Sequence, residues 1–178
     1  MEKTIRRGQL AAFLFTAAAG TLLHFLFDWS GQIPLVGAVS AVNESVWEHM
    51  KLLFFPMLIA ALAQRPFLGV QRRDFWCVKF IGIILGLLLI PMLYYAYTGA
   101  LGIHLTWVDI SIFYVAAAAA YALETRLLLP EHRRPCPFEI PAALGIALLA
   151  FVFLFLTFFP PPLPIFQDPV TLGYGIGG

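Results

Sequence analysis

The sequence predicts an all-α, polytopic membrane helical bundle of about five transmembrane helices, with a cytoplasmic N-terminus and an extracytoplasmic C-terminal tail. Three observations predict it. The 178-residue chain is 61% hydrophobic and 12% charged, where a soluble domain carries about 25% charge, and its mean hydropathy is +0.85. Five apolar segments each reach roughly the 20 residues that cross a bilayer. Ten of the eleven Lys and Arg residues fall on one side of that five-span reading, which is the positive-inside pattern. So much apolar surface has no place in one soluble core, so the bilayer must serve as solvent. Residues 1–178 read as one integral-membrane domain.

The first span is 9–27. Lys3, Arg6 and Arg7 precede it, and Ala17, Ala18 and Ala19 imitate a cleavage site. The apolar run nevertheless continues to Phe27, long enough to span, so an uncleaved helix is expected. Residues 31–39 are apolar but broken by Gly31, Pro34 and Gly37. Such a stretch lies at the interface or dips in where protein satisfies its backbone. The second span is 43–64. Its uninterrupted apolar part, Leu52 to Ala63, is too short alone, so the polar turns from Asn43 to Lys51 must belong to it. Pro56 inside it predicts a kink.

The third span, 76–97, carries Gly82 and Gly86 as a GxxxG pair. The fourth, 107–128, has a smooth face from Ala116 to Ala120; both features suit close helix contacts. The fifth is 141–159. The tail, 160–178, opens with Pro160, Pro161, Pro162 and Pro164, which favour a stiff extended segment. It is long enough to fold back over the outer face as a lid.

With the N-terminus inside, Lys3, Arg6, Arg7, Arg65, Arg72, Arg73, Lys79, Arg126, Arg133 and Arg134 are cytoplasmic, and Lys51 alone is outside. Cys77 and Cys136 then face the cytosol, so both are expected reduced and unpaired. No basic patch suits nucleic acid. The lipid bilayer is the expected partner, and a protein partner or homo-oligomer stays open.

The same orientation gathers His24, Asp28, Asn43, Glu44, Glu48, His49, Lys51, His104, Asp109 and Asp168 at the outer face. On a helix Glu44, Glu48 and Lys51 share one arc bordered by Trp47, while His49 points about 100° from Glu48. His24 and Asp28, four apart, share a face. A structural reading accounts for much of this. Asn43 suits an N-cap, Ser45-x-x-Glu48 and Thr106-x-x-Asp109 match capping boxes, Glu48 and Lys51 suit a pair, and Asp168-Pro169 suits a turn. Capping, however, needs one or two polar groups, and ionisable residues at membrane depth rarely face lipid.

The functional reading is a divalent metal site. Zn²⁺ takes three or four N, O or S ligands and leaves a position for water when catalytic. The preferred set is His24, Glu44, Glu48 and His104, with His49 and Asp109 as substitutes and Glu44 and Glu48 as catalytic acid or base. A carboxylate-rich set equally suits Ca²⁺ or Mn²⁺. There is no H-E-x-x-H, no G-x-S-x-G and no outer cysteine.

The block Val42-Asn43-Glu44-Ser45-Val46-Trp47-Glu48-His49-Met50-Lys51-Leu52, with His24-Phe25 before it and Phe55-Pro56 after it, resembles a family of small bacterial integral-membrane proteins catalogued only as a domain of unknown function. The segment Phe158-Phe159-Pro160-Pro161, then Leu163-Pro164-Ile165-Phe166-Gln167-Asp168-Pro169, resembles the same family. Ala41 and Gln167 depart from its pattern. The resemblance implies a multi-span fold in a bacterial inner membrane. It implies no activity or cofactor.

Three functions compete. One is a membrane-embedded metal-dependent hydrolase acting on a lipid or an extracytoplasmic small molecule. Another is a small transporter or ion-binding permease, which Pro56 and the broken 31–42 stretch would suit. The last is a non-catalytic membrane scaffold or assembly partner.

Overall fold

A computed structural model describes residues 2–69, 73–132 and 136–177. The expected inside cations Arg72, Arg133 and Arg134 lie outside the described residues. Among those described the fold is all-helical, and five helices are long and apolar enough to cross a membrane. They are α1 (Glu2–Trp29), α3 (Val46–Gln64), α4 (Phe75–Leu101), α5 (Thr106–Leu128) and α6 (Glu139–Phe158). A one-turn helix α2 (Pro34–Gly37) sits between α1 and α3. A π turn at Arg65–Gly69 extends α3. Helices α1 and α4 outrun the predicted spans at both ends. Hydropathy marks the apolar stretch of a helix, and its backbone bonds continue beyond it into polar turns.

α3 is the central helix. It is apolar all round and mostly buried, as expected of a helix surrounded by others. It packs against α1 and α4, and also against α6 and the 3₁₀ turn Pro164–Phe166 of the tail. Among the described residues the most extensive helix contact is α4 with α5, where small residues make room. Ala116, Ala117 and Ala120 are fully buried. A Cβ on Gly82 would lie 2.8 Å from the Glu124 carboxyl carbon, and one on Gly86 would lie 2.7 Å from a Leu53 methyl. The predicted GxxxG thus meets the alanine face, with a buried carboxylate seated against Gly82.

Two Lys–carboxylate pairs are buried near opposite ends of the bundle. Lys51 Nζ lies 2.6 Å from Glu48 Oε2 and donates to Gly37 O at 2.8 Å and Thr157 Oγ1 at 2.9 Å. This ties α3 to α2 and α6. Lys79 Nζ lies 2.5 Å from Glu124 Oε2, and Gln9 donates to the same oxygen at 2.9 Å. This joins α1, α4 and α5. Thr16 with Tyr121 and Thr21 with Tyr114 form two further hydroxyl bonds between α1 and α5.

One expectation is overturned. Cys77 and Cys136 are joined in a disulfide and are not free thiols. The segment before α6 lies against the start of α4, where Cys136 N–H bonds Arg73 O and the Glu139 carboxylate accepts the free amides of Trp76 and Cys77. A separation of 59 residues hides this pairing from any local motif.

Candidate functional site

The end of the bundle formed by Trp29, Val46, Leu101, Thr106 and Phe158 carries the polar residues. α1 delivers His24 one turn before its end. The chain then turns at Gly31 and Gln32, both at positive φ, and passes through α2 to the α3 N-terminus. Ser45 is the N-cap and its hydroxyl accepts from Glu48 N–H at 3.4 Å. Asn43 is not the cap. Its Oδ1 accepts from Ser45 N–H at 3.0 Å, which shapes the turn before the helix. Glu44 therefore stands just ahead of α3, and His49 one turn along it.

These segments bring His24, Glu44 and His49 together, with one ligand-capable atom from each within 4.8 Å of the others. His24 Nε2 lies 3.4 Å and His49 Nε2 3.6 Å from the same Glu44 Oε2. His49 Nδ1 is 2.9 Å from Ser45 O. A carbonyl only accepts, so Nδ1 carries the proton. In a neutral ring Nε2 is then a bare lone pair facing a carboxylate oxygen, and a cation, proton or metal, must reconcile them. A backbone carbonyl holding the distal ring nitrogen is also how ligating histidines are commonly oriented. The hydrogen bond from His24 holds the Glu44 carboxyl below its ordinary value, against the opposing pull of partial burial, and the charges of His49 and His24 add to the lowering.

Glu48, expected as ligand and catalytic acid or base, is elsewhere. Its carboxylate is buried against Lys51 and accepts from Val42 N–H at 3.0 Å. Helical geometry explains the exchange. His49, about 100° around α3 from Glu48, turns toward His24 of α1, while Glu48 turns toward Lys51 and the Val42 amide. His104, also in the expected set, bonds Tyr94 OH through Nδ1 at 3.1 Å. It lies on the cavity wall outside the three-residue group. Asp109 receives the Tyr97 hydroxyl, and α5 begins without a side-chain cap, so the Thr106-x-x-Asp109 capping box does not form.

The supporting residues divide. Asp28 is exposed at the end of α1. Trp47 lies between Phe153 and Phe166, with ring centroids 4.5 and 4.6 Å away, and packs α6 and the tail onto α3. Asp168 is buried, and its carboxylate accepts from Val170 N–H at 2.7 Å and Glu44 N–H at 3.4 Å. Asn43 donates to Gly175 O at 3.2 Å. The tail thus folds back onto the loop that carries Glu44.

A cavity of about 510 Å³ opens beside the group. His24, Glu44, His49, His104 and Asp109 line it. Leu52, Ile90, Ile112 and Phe113 form its apolar wall. The Gln9–Lys79–Glu124 network, at the other end of the bundle, escaped sequence reasoning. The available signal was an ionisable residue inside each of two predicted spans, Lys79 and Glu124, which a bilayer tolerates when they pair.

The family of unknown function DUF6512 matches residues 2–176 of the chain. No curated protein and no solved structure matches it.

Proposed function

The chain belongs to the family of unknown function DUF6512, and on that premise we propose that His24, Glu44 and His49 hold a divalent metal ion, zinc by preference, as the centre of a membrane-embedded hydrolase. The observation that carries this reading is the convergence of two imidazole nitrogens on one carboxylate oxygen, at 3.4 and 3.6 Å. Ligand atoms about 2.0–2.1 Å from a tetrahedral zinc lie roughly 3.3–3.5 Å apart, close to both imidazole–carboxylate distances. Two histidines and one glutamate are also a catalytic zinc set, leaving the fourth position for water.

Bound zinc lowers the pKa of its water toward about 7. Held by His24, Glu44 and His49, the metal would supply an activated water for addition to an acyl or phosphoryl centre, with the bond to the leaving oxygen breaking as that oxygen takes up the water proton. Asp109 and His104, on the cavity wall, are the groups placed to relay the proton. The positive-inside charge pattern supports reading this end of the bundle as extracytoplasmic.

Metal analysis of the purified full-length chain tests the reading. One zinc per chain is expected, lost in His24→Ala, Glu44→Ala and His49→Ala and kept in Glu48→Gln. Absence of transition metal, together with unchanged thermal stability when zinc is added, would overturn it.

A second reading rests on a different observation. Among the described residues Glu124 Oε1 is buried without a hydrogen-bond partner beside Lys79 in a helix long and apolar enough to cross a membrane, an arrangement found on ion pathways. A small permease would use it. Proton or cation flux in proteoliposomes, abolished by Glu124→Gln, tests that reading.

A further inference from the structure

The cavity beside the His24–Glu44–His49 group has a two-part chemistry that the metal reading leaves unused. Its lining is mostly apolar, and its imidazole and carboxylate groups are those of His24, Glu44, His49, His104 and Asp109. Pockets of about 300–1,000 Å³ hold small ligands, and the lining chemistry orients them. A polar solute would leave most of this wall facing water.

The location narrows the occupant. Thr21 and Phe25 of α1, and Ile110 and Tyr114 of α5, line the cavity and are also solvent-exposed, which marks where it opens; along membrane-crossing helices the surrounding solvent is lipid. The cavity therefore reaches the lipid-facing surface along the seam between α1 and α5. Thr21 Oγ1 and Tyr114 OH, 2.8 Å apart, bridge that seam there. Exposed Trp29 and Trp107 stand at the ends of the same two helices, and tryptophan marks headgroup depth. His24 is five residues below Trp29, about 7–8 Å at the helical rise. Measured from headgroup level, that distance reaches about the edge of the hydrocarbon core.

Gly20 allows the cavity wall to form. A Cβ there would lie 2.9 Å from Leu52 O and would press into the Phe113 ring. α1 can thus close on α3 while the Phe113 ring lines the opening.

We propose that this cavity takes an acyl chain of a membrane glycerolipid, entering sideways between α1 and α5, with the lipid's ester linkage delivered to the His24–Glu44–His49 group. The proposal rests on the metal-centre reading for what happens at that group. The chain-binding half stands on the cavity itself.

The test uses the full chain in phosphatidylglycerol vesicles doped with phosphatidylglycerol that bears a diazirine in one acyl chain. Irradiation and peptide mapping locate the label, and zinc is measured on the same sample. Label is expected on the interior positions Leu52, Ile90 and Phe113 as well as on annular positions such as Leu144 and Leu148. Ile90→Trp, which fills the cavity, should abolish interior label and spare annular label. Ile90→Ala, which enlarges it, should keep both. Label confined to annular positions in the wild type and in Ile90→Ala would overturn the proposal, and bound zinc in that sample would show that the metal reading survives. Interior label without zinc would support the chain site and remove the metal reading.

Discussion

The Asp168 carboxylate accepts the Glu44 backbone N–H at 3.4 Å, across 124 residues of sequence. That bond ties the C-terminal tail to the loop bearing the one acidic member of the proposed metal group. Asp168 touches no proposed ligand atom, so it acts by positioning. Asp168→Ala should weaken zinc binding about tenfold, at the low end of what supporting partners contribute, without removing a ligand. Competition with a zinc-sensitive chelator checks this. Affinity unchanged from wild type would show that the tail is irrelevant to the site.

The buried Lys51–Glu48 pair belongs to the scaffold. Lys51→Met leaves Glu48 unpaired in the interior and should cost about 3–5 kcal/mol. The double change Glu48→Leu with Lys51→Met removes both charges and should recover most of that loss. Thermal melting in detergent measures both. If the double variant is as unstable as the single one, Glu48 has a role the pair does not describe.

Gly82 allows α5 to seat Glu124 against α4. Gly82→Ala places a methyl against a carboxylate held by Lys79 and Gln9, and overpacking of this kind costs about 1–3 kcal/mol. Gly99, on the same helix, has open space at its Cβ position. Gly99→Ala should instead gain helix propensity, up to about 1 kcal/mol. The opposite signs can be read from two melting curves.

The Cys77–Cys136 bond lies at the end of the bundle that the charge pattern assigns to the cytosol, where thiols are kept reduced. Peptide mapping of the unreduced chain should find Cys77 and Cys136 linked, and alkylation should label both only after reduction. The linked form should be more stable by about 2–4 kcal/mol. A bond already present in cells would argue that this end faces an oxidising compartment.

Much of the fold was legible in the linear pattern. Hydropathy counts apolar residues along the chain, and a bilayer rewards that count directly, so five helices followed from composition and spacing alone. The Gly82–Gly86 seam and the alanine face of α5 were equally local features. The candidate site was legible only in part. His24 and Glu44 could be chosen because both stand near span ends on the same side. The choice between Glu48 and His49 could not be made, because adjacent residues on a helix face different neighbours and the sequence does not say which helix stands where.

By itself, then, the sequence determined the solvent, the number of crossings and the end of the bundle at which polar chemistry collects, since each depends on local composition. Only the tertiary structure decided that His49 joins Glu44 while Glu48 is spent on Lys51, that Asp168 anchors the tail, and that Cys77 meets Cys136. Those outcomes depend on how helices are arranged around α3. That arrangement is set by close contacts between residues far apart in the chain, such as Gly82 against Glu124 and Gly20 against Phe113.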